Sequence, residues 1–177
     1  MSAAVGATAR AGRPLPGTLR APMALVVKPP APLLKVPGTI AVFLAGSIEM
    51  GGAPPWQEEI EAAVSALPVT LWNPRREAWD ASWRQSIDEP LFREQVEWEL
   101  EAQERADLVA MYFAPETRAP VTLLELGLFA RSGKLVVCCP EGYWRRGNVQ
   151  VVCHRYGARE VADLAALAAA IAERAAR

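Results

Sequence analysis

Val42-Phe-Leu-Ala-Gly-Ser-Ile-Glu-Met-Gly51 is the stretch whose reading decides the fold. Together with the residues before it, Thr39-Ile-Ala-Val-Phe-Leu44 forms a short, continuously apolar run. Such a run predicts a strand buried on both faces. Gly46 and Ser47 then turn the chain. Pro54 and Pro55 precede Trp56 to Leu67, which reads as a helix with proline at its start.

The same alternation continues downstream. Val69-Thr-Leu-Trp72 reads as a second strand, and Pro90 to Ala106 as a helix. Asp107 to Phe113 is a third strand, and Val121 to Ser132 a helix closed by Gly133. Leu135-Val-Val-Cys-Cys139 is a fourth strand and Val149-Gln-Val-Val-Cys153 a fifth. An alanine-rich helix runs from Glu160 to the C-terminus. Apolar strands alternating with helices predict an α/β fold: a flavodoxin-like, doubly wound, mainly five-stranded parallel sheet with helices on both faces. Ligands of such sheets bind beyond the carboxyl ends of the strands. The loops to inspect are therefore residues 45–53, 73–88, 114–121 and 140–148.

Composition narrows the function. The chain has 177 residues, 51% hydrophobic and 22% charged, with a net charge of −1. That fits one globular domain and supplies no field to recruit a nucleic-acid polymer or an anionic membrane. No run approaches the roughly 18 apolar residues of a membrane span. Cys138, Cys139 and Cys153 make an odd set without a C-x-x-C, which predicts reduced, buried thiols in a cytoplasmic protein. His154 is the only histidine, so a Ser-His-Asp triad or a His-rich metal site is hard to build, and no metal or cofactor is expected. Acid–base chemistry must rest on carboxylates. Residues 1–37 are rich in Ala and Pro, basic and free of Asp and Glu. They read as an unpacked N-terminal extension or a transit peptide, with Met23-Ala-Leu-Val-Val27 as a candidate short edge segment, and residues 38–177 read as the domain.

The first glycine loop, Gly46 to Ala53, has G-x-x-x-x-G spacing, but Gly52-Ala53 stands where a phosphate loop needs Lys-Ser/Thr. Without that lysine the outer phosphates have no partner, which excludes an ATPase of that type. The loop is either a tight turn needing glycine or part of a substrate site.

Two carboxylates stand out. In the helix Phe92 to Ala106, helical phase puts Phe92, Val96 and Leu100 on one apolar stripe. Glu99 and Gln103 fall on or beside that stripe, whereas Glu94, Glu97, Glu101 and Glu104 point away. An inward carboxylate is costly unless paired or used, and burial raises its pKa into the range of a general acid or base. Glu125 is the only charge among Leu123, Leu124, Leu126 and Leu128. Thr122-x-x-Glu125 fits a capping box, with Thr122 as N-cap and Glu125 at the third helical position. The alternative is a catalytic carboxylate at the ligand edge. Two carboxylates in unlike environments can divide into nucleophile and acid/base.

Other polar and aromatic residues have two readings each. Asp107 ends the preceding helix or pairs at the strand start. Arg75 and Arg76, after Asn73-Pro74, either hold an anionic group or lie on the surface. Trp72, Trp79 and Trp83 either stack on a planar base or pack a lid.

Phe43-Leu-Ala-Gly-Ser-Ile48, Glu99 eight residues before Asp107, Glu125-Leu-Gly127 and Asn148 together resemble the nucleoside 2-deoxyribosyltransferase superfamily. Asn73-Pro-Arg-Arg, Trp79-Asp80 and Cys138 to Val149 look closest to its "nucleoside 2-deoxyribosyltransferase-like" branch. The resemblance spans roughly Thr39 to Cys153. It implies cleavage or transfer at the N-glycosidic bond of a (deoxy)nucleoside, with Glu125 as a nucleophile that carries the sugar covalently. Glu99 stands where the family usually has an aspartate that handles a proton or holds the ligand. Phe43, Gly46, Ser47, Asn73, Arg75, Trp79, Asp80 and Asn148 are the implied substrate-binding residues. Asn148 matches a polar residue that reaches a neighbouring subunit's site, which implies a homodimer or higher homo-oligomer. Two positions depart from the pattern. Ala119 replaces a polar residue six before the nucleophile, and Glu49 stands where a 5'-phosphate would favour a basic residue. A nucleoside is therefore favoured over a nucleotide. Hydrolysis of nucleosides, nucleotides or NAD-type substrates, and non-catalytic nucleotide binding, are the alternatives.

Overall fold

The structure, a computed structural model, describes residues 23–48, 52–77, 80 and 82–177. Six strands and five helices alternate: β1 Leu25–Val27, β2 Ile40–Gly46, α1 Trp56–Ala63, β3 Val69–Trp72, α2 Pro90–Arg105, β4 Leu108–Tyr112, α3 Pro120–Phe129, β5 Leu135–Cys138, α4 Arg146–Tyr156, β6 Arg159–Val161 and α5 Leu164–Ala175. The strands form one sheet in the order β1-β3-β2-β4-β5-β6, and every pairing is parallel. With β1 set aside, this is the flavodoxin-like order, with the switch point between β2 and β4.

The sheet separates two apolar layers. On one face Phe43, Ala45, Val109 and Met111 pack with Trp98, Leu126, Val149 and Cys153 from α2, α3 and α4. On the other, Val42, Leu44 and Ala110 pack with Ile60, Leu167 and Ile171 from α1 and α5. Alternate residues of β2 thus enter opposite cores, which is why its sequence is apolar throughout.

Two elements differ from the sequence expectation. Residues 149–153 lie inside α4 and are not a strand. Their β-branched density mimics a buried strand, yet the helix buries Val149 and Cys153, one turn apart, and leaves Val151 69% exposed. His154 and Arg155 in the last turn and Gly157 at φ 73° close that helix, with the Ala158 N–H bonded to the Cys153 carbonyl. The last strand is instead β6, a polar edge strand of three residues that includes Glu160, so the C-terminal helix begins at Leu164, capped by Asp163, and not at Glu160. At the opposite edge, beside β3, β1 is the short edge segment expected within Met23 to Val27.

Residues 28–36, within the Ala/Pro-rich N-terminal stretch, cross the α2 face. Three of their carbonyls accept side-chain hydrogen bonds: Ala31 from the Trp98 indole at 2.8 Å, Leu34 from the Trp72 indole at 2.9 Å and Leu33 from Arg105 at 2.9 Å. Buried indole N–H groups need such partners.

Candidate active site

β2 and β4 are paired through Gly46 and Tyr112 at their carboxyl ends. Gly46 has φ 153°, and a Cβ there would stand 2.4 Å from the Tyr112 carbonyl oxygen and 2.7 Å from the Trp56 ring. The glycine is required by this close approach. Ser47 then ties the two switch-point loops together. Its N–H donates to the Tyr112 carbonyl at 3.0 Å, and its hydroxyl accepts from the Ala114 N–H at 3.0 Å and lies 2.8 Å from the Thr117 hydroxyl.

Helix α2 returns from the carboxyl edge of the sheet, and α3 begins there, so their inward faces meet over β2. The buried positions of α2 are Gln95, Trp98, Ala102 and Gln103. This corrects the stripe expected from Phe92, Val96 and Leu100: Leu100 is exposed, and the inward face carries two glutamines with Glu99 between them. The Gln95 amide donates to Glu99 Oε1 at 2.8 Å and to the Pro74 carbonyl at 2.9 Å. The Gln103 amide donates to Glu125 Oε1 at 2.7 Å and to the Glu99 backbone carbonyl at 3.3 Å.

Glu125 is buried, with 7% exposure. It does not belong to a capping box. α3 starts at Pro120, its N-cap is Ala119 and no side chain caps it, so Thr122 is the third helical residue and Glu125 lies further along. Ala119 holds a left-handed backbone at φ 42°, a conformation that disfavours a side chain with a Cβ. It fixes the chain direction immediately before the helix that carries Glu125.

The electrostatics of the pair follow from burial. Burial pushes the Glu99 carboxyl up to about 7, opposed by the Gln95 hydrogen bond. The residue as a whole keeps some solvent contact, but its carboxyl is closely packed. Burial, reinforced by the Glu99 charge, pushes Glu125 up to about 8, opposed by the Gln103 hydrogen bond. Such a pair gives up its protons in two coupled steps. Between those steps it holds one proton and one negative charge, the combination that acid-assisted nucleophilic chemistry requires.

The remaining predicted site residues divide. Phe43 is buried beneath α2, its ring centroid 6.5 Å from that of Trp98. Asn73 is buried, bonded through Nδ2 to Glu61 at 2.6 Å and through Oδ1 to the Arg75 N–H at 2.9 Å. Arg75 donates to the Ala53 carbonyl at 3.0 Å, linking the loops after β2 and β3. Arg76 pairs with Glu94 and lies over the Trp83 ring. Asp80 receives the Ser82 N–H. Asn148 is exposed on α4 and shares no hydrogen bond with either carboxylate. Asp107 receives the Ala41 N–H and the Lys35 ammonium, each at 2.7 Å, so it joins strand and loop. Trp72 is buried in the core and is not a stacking platform. Trp79 and Glu49 lie outside the described residues. Among the described residues, no three His, Cys, Asp or Glu side chains come together as metal ligands, and no helix is long and apolar enough to cross a membrane.

Gln95 was not legible as a site residue. Its signal was the spacing Gln95, Glu99, Gln103, which falls on one helix face with Trp98 and Ala102.

The fold and site define a flavodoxin-like α/β protein with a buried, coupled carboxylate pair beside its switch point. The family described as "Nucleoside 2-deoxyribosyltransferase like" matches residues 39–143. The chain belongs to this family. Both carboxylates fall within the match, and Asn148 lies just beyond it. No curated protein matches the chain.

Proposed function

We propose that this protein cleaves or transfers the N-glycosidic bond of a (deoxy)nucleoside through a covalent sugar intermediate on Glu125. The observation that carries the reading is the buried Glu99–Glu125 pair in a member of this family. A Glu125 oxygen attacks the anomeric carbon and forms a C–O bond as the C–N bond breaks. The bonding electron pair leaves with the base, which takes a proton from Glu99. A second base or water then attacks the same carbon and loses its proton to Glu99, and Glu125 departs as carboxylate. No cofactor enters this scheme.

In this reading Phe43, Gly46, Ser47, Asn73 and Arg75 form the floor and walls, and Trp79 and Asp80 belong to the loop over the base. Asn148 acts from a second copy of the chain. The apolar outer faces of α3 and α4 support such a copy: Leu124 is 64%, Leu128 58% and Val151 69% exposed. Sedimentation at micromolar concentration tests it, and a monomer would refute it. The three buried, unpaired cysteines support a reducing, cytoplasmic compartment. Water as acceptor is the second reading, favoured by Ala119, whose methyl group offers a second base no polar contact.

The test is incubation with each deoxynucleoside, its 5'-phosphate and NAD, with and without a second free base, followed by chromatography of the bases. Exchange only with the second base indicates transfer; release without it indicates hydrolysis. No release from any substrate sinks the proposal. Glu125→Gln is expected to abolish turnover while the circular dichroism spectrum stays unchanged.

A further inference from the structure

Attack by Glu125 requires that the single proton of the pair sit on Glu99. Burial does not favour this, because both carboxyls are closely packed and the Glu99 charge repels the ionisation of Glu125. One contact acts the other way. Gln103 is fully buried, and its Nε2 lies 2.7 Å from Glu125 Oε1. The second Nε2 hydrogen faces the Glu99 backbone carbonyl at 3.3 Å, which fixes the orientation of the amide. That orientation leaves Gln103 Oε1 buried without a hydrogen-bond partner. An unpartnered buried oxygen is destabilising, and an apolar side chain of the same size would avoid it. The fold accepts that cost where the amide meets the carboxylate.

We propose that Gln103 is the positioning residue for Glu125: its amide holds Oε1 and leaves Oε2 as the oxygen that reacts. The inference rests on the N-glycosidic reading for its catalytic meaning, but the contact can be tested without turnover. A donor aimed at one carboxylate oxygen favours the ionised form and stops the carboxyl from rotating. The charged group that acts on Glu125 from the elements packed around it is Glu99 on α2. β2 and α4 bring Phe43, Ala45 and Val149, all uncharged, to the same core. Within α3, the buried neighbours of Glu125 are Thr122 and Leu126.

The experiment compares the full chain with Gln103→Met, which keeps the volume and removes the donor, and with Gln103→Asn, which withdraws it by one methylene. Glutamate labelled with 13C at the carboxyl carbon is titrated by NMR, the Glu125 signal being assigned from its loss in Glu125→Gln. Loss of a hydrogen bond to a charged group is expected to raise the Glu125 midpoint by about one to two pH units. The basic limb of kcat/KM, set by the higher of the two steps, should move to higher pH by the same amount while the acidic limb stays in place, a change that general loosening of the core would not produce. An unchanged Glu125 midpoint in both variants overturns the proposal. A shifted midpoint in a protein that releases no base upholds the Gln103 contact and refutes the N-glycosidic reading instead.

Discussion

Replacing Glu125 by Gln should stabilise the protein, and by more as the pH rises. The native carboxyl titrates near 8, whereas in the unfolded chain it returns to the ordinary value of 4.5. Between those values the native state holds a proton that the unfolded state has lost. The native state therefore binds more protons, and stability falls with rising pH through this window. Each pH unit across the window corresponds to about 1.4 kcal/mol, so the contribution lost between pH 4.5 and pH 8 is on the order of 5 kcal/mol as an upper bound. Part of that rise comes from the Glu99 charge, which the substitution leaves in place. Several kcal/mol is a large share of a typical folding free energy of about 5–15 kcal/mol. Glutamine has the same shape and keeps an oxygen for the Gln103 donor, but it need never ionise. Urea unfolding at pH 5, 7 and 9 measures the difference. At pH 5 the two proteins should be nearly equal. At pH 9 Glu125→Gln should unfold at clearly higher urea, with an unchanged slope. Equal pH dependence in the two proteins would refute the buried, proton-holding carboxylate on which the site is built.

The pH–rate profile should be bell-shaped. In the proposed mechanism the singly protonated pair reacts, so kcat/KM should peak between about 7 and about 8 and fall on both sides; a flat profile across that range would remove the pair from the chemistry. Gly46→Ala should destabilise severely, because its Cβ would stand 2.4 Å from the Tyr112 carbonyl oxygen. Overpacking of this kind costs about 1–3 kcal/mol or more, visible as a lower melting temperature. Ser47→Ala should cost less, about 1–2 kcal/mol, by leaving the Ala114 N–H without its 3.0 Å acceptor. Hydrogen exchange at Ala114 reads that loss directly.

The elements legible in the sequence were those whose packing is symmetrical. β2, β3, β4 and β5 are buried on both faces, so each reads as an unbroken apolar run. β6 carries no such signal because it lies at the edge and its residues are largely exposed. α4 was obscured by valine density, although Gly157 and the cationic last turn marked it as a helix. The start of α3 was misjudged because Thr122 and Glu125 have capping spacing. Pro120 was the better signal: proline favours the first helical position, which moves Thr122 to the third and takes Glu125 out of reach of the cap.

The site was legible one carboxylate at a time but not as a pair with its donors. Glu125 stood out because a charge among leucines conflicts with its surroundings. Glu99 stood out because helical phase turned it inward. Nothing in sequence spacing relates residue 103 to residue 125, since the 2.7 Å contact between them arises only when α2 and α3 pack over β2. On α2 alone, buried Gln95 and Gln103 are unfavourable choices, and the apolar residues Phe92, Val96 and Leu100 are the natural inward face. The helix is instead turned so that Gln95, Trp98, Ala102 and Gln103 face inward, where the two amides meet carboxylates, Gln95 within its own helix and Gln103 across to α3. Each glutamine supplies a neutral donor that lowers a carboxyl pKa without cancelling its charge. A lysine in either place would form an ion pair and hold its carboxylate ionised throughout the neutral range. An amide lowers the carboxyl pKa without fixing the charge, and in the proposed mechanism this lets Glu99 serve first as acid and then as base.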